Sequence, residues 1–155
     1  MSKIVVGVDG SDESARALRW AVDEARLREL PLEVVYAFDP QPEWLRFGPP
    51  PALEGLAMES LERQVQPGAP SPEELAKDHA DALVRSMLSE NGGDVEVRRM
   101  VSESHKPAPY LVERSRDAEL LVVGSRGRGS VGSMLLGSVS TYCIHHADCP
   151  VVVIK

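Results

Sequence analysis

Positive charge is scarce in this chain. Its 17 Lys and Arg stand against 24 Asp and Glu, a net charge of −7 at pH 7 with an isoelectric point near 5.1. That balance argues against a broad nucleic-acid or membrane-surface footprint and leaves small molecules and other proteins as partners. Cysteine is scarcer still: Cys143 and Cys149 are the two present, and in a reducing compartment both are expected to stay thiols. No window approaches the ~18 uninterrupted apolar residues of a membrane-spanning helix. The opening Met-Ser-Lys-Ile-Val-Val also lacks a basic segment followed by a long apolar stretch, so a soluble, cytoplasmic protein is expected. No Gly-Lys pair occurs. The GxxxxGK(S/T) phosphate loop is therefore missing, and with it the lysine on which an ordinary NTPase relies. No serine has a histidine and a carboxylate at recognisable triad spacing, so nucleophilic catalysis has no support and no catalytic residue is assigned.

What is present suits one globular domain over residues 1–155 with a real core, at 43% hydrophobic and 26% charged residues. Apolar runs rich in β-branched residues mark strands at 3–8, 32–38, 119–123 and 150–154. The run at 94–101 alternates Val95 and Val97 with Glu96 and Arg98, the pattern of a half-exposed edge strand. Helices are expected at 11–30, 71–88, 107–116 and 137–146. The first has Ser11 as N-cap, Ala15, Leu18, Val22 and Ala25 as its core stripe, and Trp20 at the flank. The second carries Leu75, His79, Ala82, Leu83 and Met87 on one side, and the third is entered through Pro107, with Pro109 making its start irregular. This alternation predicts an α/β fold, a doubly wound five-stranded parallel sheet with helices on both faces. Residues 39–72 interrupt it with eight of the twelve prolines, Trp44 and Phe47. An insertion this long between a strand and its crossover helix is either a bland excursion or a lid or docking surface for a partner protein.

The informative segment is V-G-S-R-G-R-G-S-V-G-S-M-L-L-G-S-V-S, residues 123–140, set between a strand and a helix. Glycines let backbone amides approach an anion, and the following helix supplies N–H groups and a favourable dipole. Arg126 and Arg128 make a local positive spot on an acidic chain, which a bound polyphosphate would explain. Gly127-Arg-Gly129-Ser-Val-Gly132 spells the dinucleotide fingerprint GxGxxG. The acidic residue that fingerprint needs ~20 positions on is missing, because the chain reads Val151-Val-Val-Ile-Lys155 there. A second spacing does hold: Gly124, two residues, Gly127, nine residues, Gly137, then Ser138.

With the Val-Gly-Val-Asp9-Gly-Ser opening and the Cys-Pro-Val-Val-Val-Ile ending, that spacing resembles the ATP-binding branch of the universal stress protein family, over the whole chain apart from 39–72. The resemblance implies an adenine nucleotide alpha hydrolase-like sheet of strand order 3-2-1-4-5. It makes Gly124, Gly127, Gly137 and Ser138 the ribose and phosphate cradle, with Val139 and Ser140 at the start of the last helix. It places Asp9 near the adenosine or the phosphate-bound metal and Ala37 against the adenine. The candidate nucleotide-binding set is thus Val8, Asp9, Ala37, Val123, Gly124, Arg126, Gly127, Gly137, Ser138, Val139 and Ser140, for ATP with Mg²⁺. The chain departs from the family at Ser104-His-Lys-Pro-Ala-Pro109, where members often carry a glycine before the third helix. The activity implied is a nucleotide-gated stress-response sensor or adaptor. The alternative is a weak Mg²⁺-dependent ATPase or self-phosphorylating enzyme using Ser130, Ser133, Ser138 or Ser140.

Cys143, His145, His146 and Cys149 have the residue types of a zinc site but not its geometry. On a helix His145 points ~100° away from His146, and Cys143 follows Val139 by four residues on the buried stripe. Both cysteines are read as small buried thiols, and no metal ligand is assigned. His79 is read as core, and His105 is isolated. The last strand is short and wholly apolar, an aggregation hazard unless covered. The family covers it with the same strand of a second subunit, which implies a homodimer through Val151 to Ile154.

Overall fold

The computed structural model of the chain describes residues 2–36, 78, 81, 82, 85, 86, 95–101, 106–127 and 136–155. Five strands, β1 (Ile4–Val8), β2 (Leu32–Tyr36), β3 (Val97–Val101), β4 (Leu120–Gly124) and β5 (Val151–Ile154), form one sheet in the order β3-β2-β1-β4-β5. Every pairing is parallel. β1 and β2 are buried at every position, as strands covered on both faces must be, and this is why β1 runs continuously apolar and β2 does so apart from Glu33. β3 lies at one edge, as the alternation of Val97 and Arg98 requires. The strand order, the parallel pairing and the edge position all match the expectation.

Helix α1 (Asp12–Arg28) starts where Ser11 accepts the Ser14 N–H on its Oγ at 3.2 Å. Asp12 and Glu13 in its first turn and Arg26 and Arg28 in its last complement the helix dipole. It stops at Glu29, which takes the left-handed conformation (φ 55°) so that the Leu30 N–H can reach the Ala25 carbonyl at 2.9 Å. Its buried stripe is Ser14, Ala17, Leu18, Ala21, Val22 and Ala25, spaced three and four apart. Ala17 and Ala21 fill the centre, while Ala15, expected there, packs at the margin beside Trp20. Small residues let the helix sit close on Ile4, Val6, Val8, Val34 and Val122. The opposite face of the sheet, carrying Val5, Val35, Leu121 and Val123, is covered by α2 (Pro107–Arg114) and α3 (Ser138–His146) through Leu111 and Cys143. Pro107 and Pro109 both fall in the first turn of α2, where no intrahelical N–H is lost.

Glu33 is the one acidic residue among those described that is buried. It faces α2 from β2, and Arg114 donates to both its oxygens, Nε to Oε1 at 2.6 Å and Nη2 to Oε2 at 2.7 Å, while Lys3 Nζ donates to Oε2 at 3.2 Å. Burial pushes this carboxyl up, but the hydrogen bonds from Arg114 and Lys3 outweigh it and hold the pKa below the usual 4.5. The network pins α2 to the amino-terminal end of the sheet.

Asp78, Asp81, Ala82, Arg85 and Ser86 are helical, within the expected second helix. The rest of that helix, including His79, lies outside the described residues, as do Ala37, the 39–72 insertion, His105 and the loop residues Arg128 to Ser133.

Candidate functional site

β1 connects to β2 on one side and β4 connects to β5 on the other, so the chain parts at the carboxyl ends of β1 and β4. In an open parallel sheet that parting is where a crevice forms. The pairing pattern fits: β1 pairs β2 along all five residues, whereas it pairs β4 only from Ile4↔Leu120 to Val6↔Val122. Beyond Val6 the two strands separate.

The β1 side of the crevice is Asp9, Gly10 and Ser11. Gly10 adopts φ 82°, a conformation costly for any residue with a Cβ, and so turns the chain sharply from strand to helix. The Asp9 carboxylate accepts from the Ser11 N–H at 3.0 Å and the Ser11 hydroxyl at 2.6 Å, both on Oδ1. Ser11 Oγ in turn receives the Ser14 N–H. The hydroxyl therefore links the carboxylate to the start of α1, and Asp9 is held in one orientation. Its other oxygen, Oδ2, lies against Gly127, where any Cβ would collide with it.

The β4 side is built by Ser125, which sequence reasoning passed over. Its N–H donates to Ile154 O at 2.6 Å, tying it to β5, and its carbonyl accepts from Gly137 N at 2.7 Å and from Ser140 Oγ at 3.1 Å. These bonds bring the start of α3 against the end of β4. Gly137 is the N-cap of α3 and supplies no side chain to its amides. The first bond along the helix is Thr141 N–H to Gly137 O at 3.0 Å. The N–H groups of Ser138, Val139 and Ser140 precede it and lie at the positive end of the helix dipole.

The motif glycines differ in what surrounds them. A Cβ on Gly124 would lie 3.0 Å from the Glu13 carbonyl carbon and 3.1 Å from Ser14 N, because the first turn of α1 crosses directly over the end of β4. Among the described residues a Cβ on Gly137 would meet nothing closer than Arg126 Cα at 3.5 Å, and its φ of −76° suits any residue. A Cβ at 124 would thus press on backbone, one at 127 on the Asp9 carboxylate, and one at 137 on no described atom inside ordinary contact.

Among the candidate residues, Asp9, Arg126, Gly127, Gly137 and Ser138 come together around the crevice. Val8 and Val123 are core side chains, 1% and 3% exposed, and only their backbones reach the crevice edge. Ser140 is buried, with its hydroxyl spent on carbonyls of the protein. Arg126 is exposed, with Nη2 3.9 Å from Glu13 Oε1. Ser11 and Glu13 were not singled out as site residues in the sequence; the Asp-Gly-Ser turn was the available signal for the first. Burial raises the Cys143 thiol to about 11, and Cys149 is half-buried. Among the described residues no three His, Cys, Asp or Glu side chains converge on a metal position.

A model of the universal stress protein family matches residues 1–155. A universal stress protein of Mycobacterium tuberculosis is 38% identical over 152 residues, 97% of this chain and 47% of the relative. The chain thus spans about half the length of the curated relatives it matches. A universal stress protein from Archaeoglobus fulgidus, solved in complex with dAMP, has a TM-score of 0.56 at 25% identity, over 100% of this chain and 98% of that one. A universal stress protein solved in complex with cAMP has a TM-score of 0.57 at 28% identity, over 99% and 97%.

Proposed function

Because the chain belongs to the universal stress protein family, we propose that residues 1–155 form one adenine-nucleotide-binding domain whose ligand is ATP. The observation that carries this reading is the uncapped amino terminus of α3, held by Ser125 beside the crevice between β1 and β4. An anion there would receive the N–H groups of Ser138 and Val139 and the helix dipole, with the Arg126 guanidinium alongside. The described residues leave room at Gly137 for a phosphate at close approach. Asp9 would face the nucleoside or the metal from across the crevice. The dAMP and cAMP complexes of similar proteins support an adenine nucleotide as the ligand class. Mg²⁺ would ride on the phosphates with most of its own waters, since it is commonly held by substrate phosphates and one or two carboxylates.

ATP occupancy would set partner choice, which makes the protein a nucleotide-gated sensor or adaptor in a cytoplasmic stress response. No helix of the described residues is long and apolar enough to cross a membrane. The half-buried edge strand β5 would pair with its copy in a homodimer. Size-exclusion chromatography with light scattering tests that arrangement: Val152→Lys yields a monomer, and an unchanged mass would place the interface elsewhere.

The test of the ligand is direct. Freshly purified protein is denatured and released nucleotide identified by mass spectrometry, beside thermal-shift titrations with ATP-Mg²⁺, AMP and cyclic AMP. Ligand at a hundredfold excess over its Kd adds about 2.7 kcal/mol, and ATP should give the largest shift. No released nucleotide and no shift with any of the three would overturn the proposal.

A further inference from the structure

Resting on that reading, we propose that Glu13 limits the margin by which the site prefers adenine nucleotides carrying a polyphosphate over those carrying a monophosphate. It does so as the counter-charge that a terminal phosphate must displace from Arg126.

The placement of Glu13 is enforced by packing. The first turn of α1 lies so close over the end of β4 that a Cβ on Gly124 would touch the backbone and Cβ of Glu13 at 3.0 to 3.1 Å. The Asp9-Ser11-Ser14 hydrogen bonds fix the same turn from the other side. From this position Glu13 Oε1 stands 3.6 Å from Arg16 Nη2 and 3.9 Å from Arg126 Nη2. One carboxylate oxygen thus faces two guanidinium groups. Arg16 is the helical neighbour three residues on; Arg126 reaches in from the other wall of the crevice.

The backbone of Arg126 also lies beside the candidate anion position. Its Cα is the atom nearest to where a Cβ on Gly137 would be, at 3.5 Å, so its backbone lies against the N-cap of α3. A guanidinium presents the same planar fork to a carboxylate and to a phosphate. Its engagement with Glu13 is therefore exchanged for any phosphate that reaches it. The carboxylate left behind then repels that phosphate. An α-phosphate seated on the α3 amides needs no help from Arg126, whereas the β- and γ-phosphates carry the extra charge that makes the exchange. Glu13 therefore weakens binding of every nucleotide slightly and of the polyphosphates most, which narrows the difference in affinity between them.

The pair is partly exposed, with Glu13 at 21% and Arg126 at 42%, so the effect is modest: removing the Glu13 charge should tighten ATP binding by ~2- to 5-fold at low salt. The experiment is calorimetric titration of ATP-Mg²⁺ and AMP into the wild-type chain, Glu13→Gln, Asp12→Asn, Arg126→Gln and the Glu13→Gln/Arg126→Gln double variant, at low and physiological ionic strength. Asp12 is exposed on the same turn and controls for the change in net charge. The expected result is that Glu13→Gln raises the ratio of the AMP Kd to the ATP Kd, that Asp12→Asn moves it less, that the gain vanishes when Arg126 is already replaced, and that it shrinks with added salt. An unchanged ratio in Glu13→Gln overturns the inference while wild-type ATP binding leaves the nucleotide site standing. A gain that persists without Arg126, or that Asp12→Asn equals, overturns the pair as its cause. If neither nucleotide binds the wild-type chain, the site itself fails and the inference with it.

Discussion

Replacing the motif glycines one at a time separates packing from ligand binding. In Gly124→Ala the new Cβ would stand 3.0 Å from the Glu13 carbonyl carbon and 3.1 Å from Ser14 N, about 0.5 Å inside a comfortable contact. Both are backbone atoms of a helix held by its cap and by a stripe of buried side chains, so neither yields without moving α1. Overpacking of this kind costs about 1–3 kcal/mol, and in a chain of this size that lowers the melting temperature by roughly 3 to 9 °C. In Gly137→Ala the nearest described atom is 3.5 Å away, and the expected cost is the N-cap preference alone, less than about 1 kcal/mol. The same methyl group would stand where a phosphate approaches the α3 amides. Loss of one charge-assisted hydrogen bond there should weaken ATP about tenfold or more. Thermal melts without ligand and calorimetric titration of ATP read the two effects independently. If Gly137→Ala lost several degrees without ligand while Gly124→Ala melted with the wild-type chain, the assignment of these glycines would be refuted.

Two further outcomes follow from buried ionisable groups. Glu33→Gln breaks the charged bonds to Arg114 and Lys3, the first of them about a third exposed, and should cost about 2–3 kcal/mol at pH 7, less than a fully buried pair. Because the folded pKa of Glu33 lies below 4.5, its stabilisation is present above 4.5 and disappears as pH falls through the folded value. Denaturant titrations should therefore show the gap between wild type and Glu33→Gln narrowing in acid, and a gap that widened there would contradict the assigned sign. Cys143, with its thiol raised to about 11, is about one part in a thousand thiolate at pH 8. A disulfide reagent should label Cys149 alone in the native protein and both after denaturation; equal native rates would mean that Cys143 is not sealed in the core.

Much of the fold was readable because burial on both faces leaves a simple mark. The continuous apolar run of β1 is the mark of an interior parallel strand, and the alternation of Val97 with Arg98 is the mark of an edge. The helical stripe of α1 was readable to within a residue or two, the slip at Ala15 arising because alanine fits the margin of a helix face as well as its centre. Glu33 left no such mark. Its partners Arg114 and Lys3 lie 81 and 30 residues away in the chain, and a glutamate inside an apolar strand looks the same whether or not two cations wait for it.

At the candidate site the residue order alone shows a glycine-punctuated loop between β4 and α3 with the spacing expected of an anion site. The spacing of Gly124, Gly127, Gly137 and Ser138, set between strand and helix, carries that information in local chain geometry. What presses on each glycine becomes visible only in the folded chain. Gly124 answers to the first turn of α1, Gly127 to the carboxylate of Asp9, and Gly137 to no atom of the described protein closer than ordinary contact. The tertiary structure also decided that Ser140 is a staple and that Glu13 faces Arg126. Glycine spacing is a one-dimensional property of the loop, whereas the atoms that press on it arrive from α1 and β1, which only folding brings into contact with it.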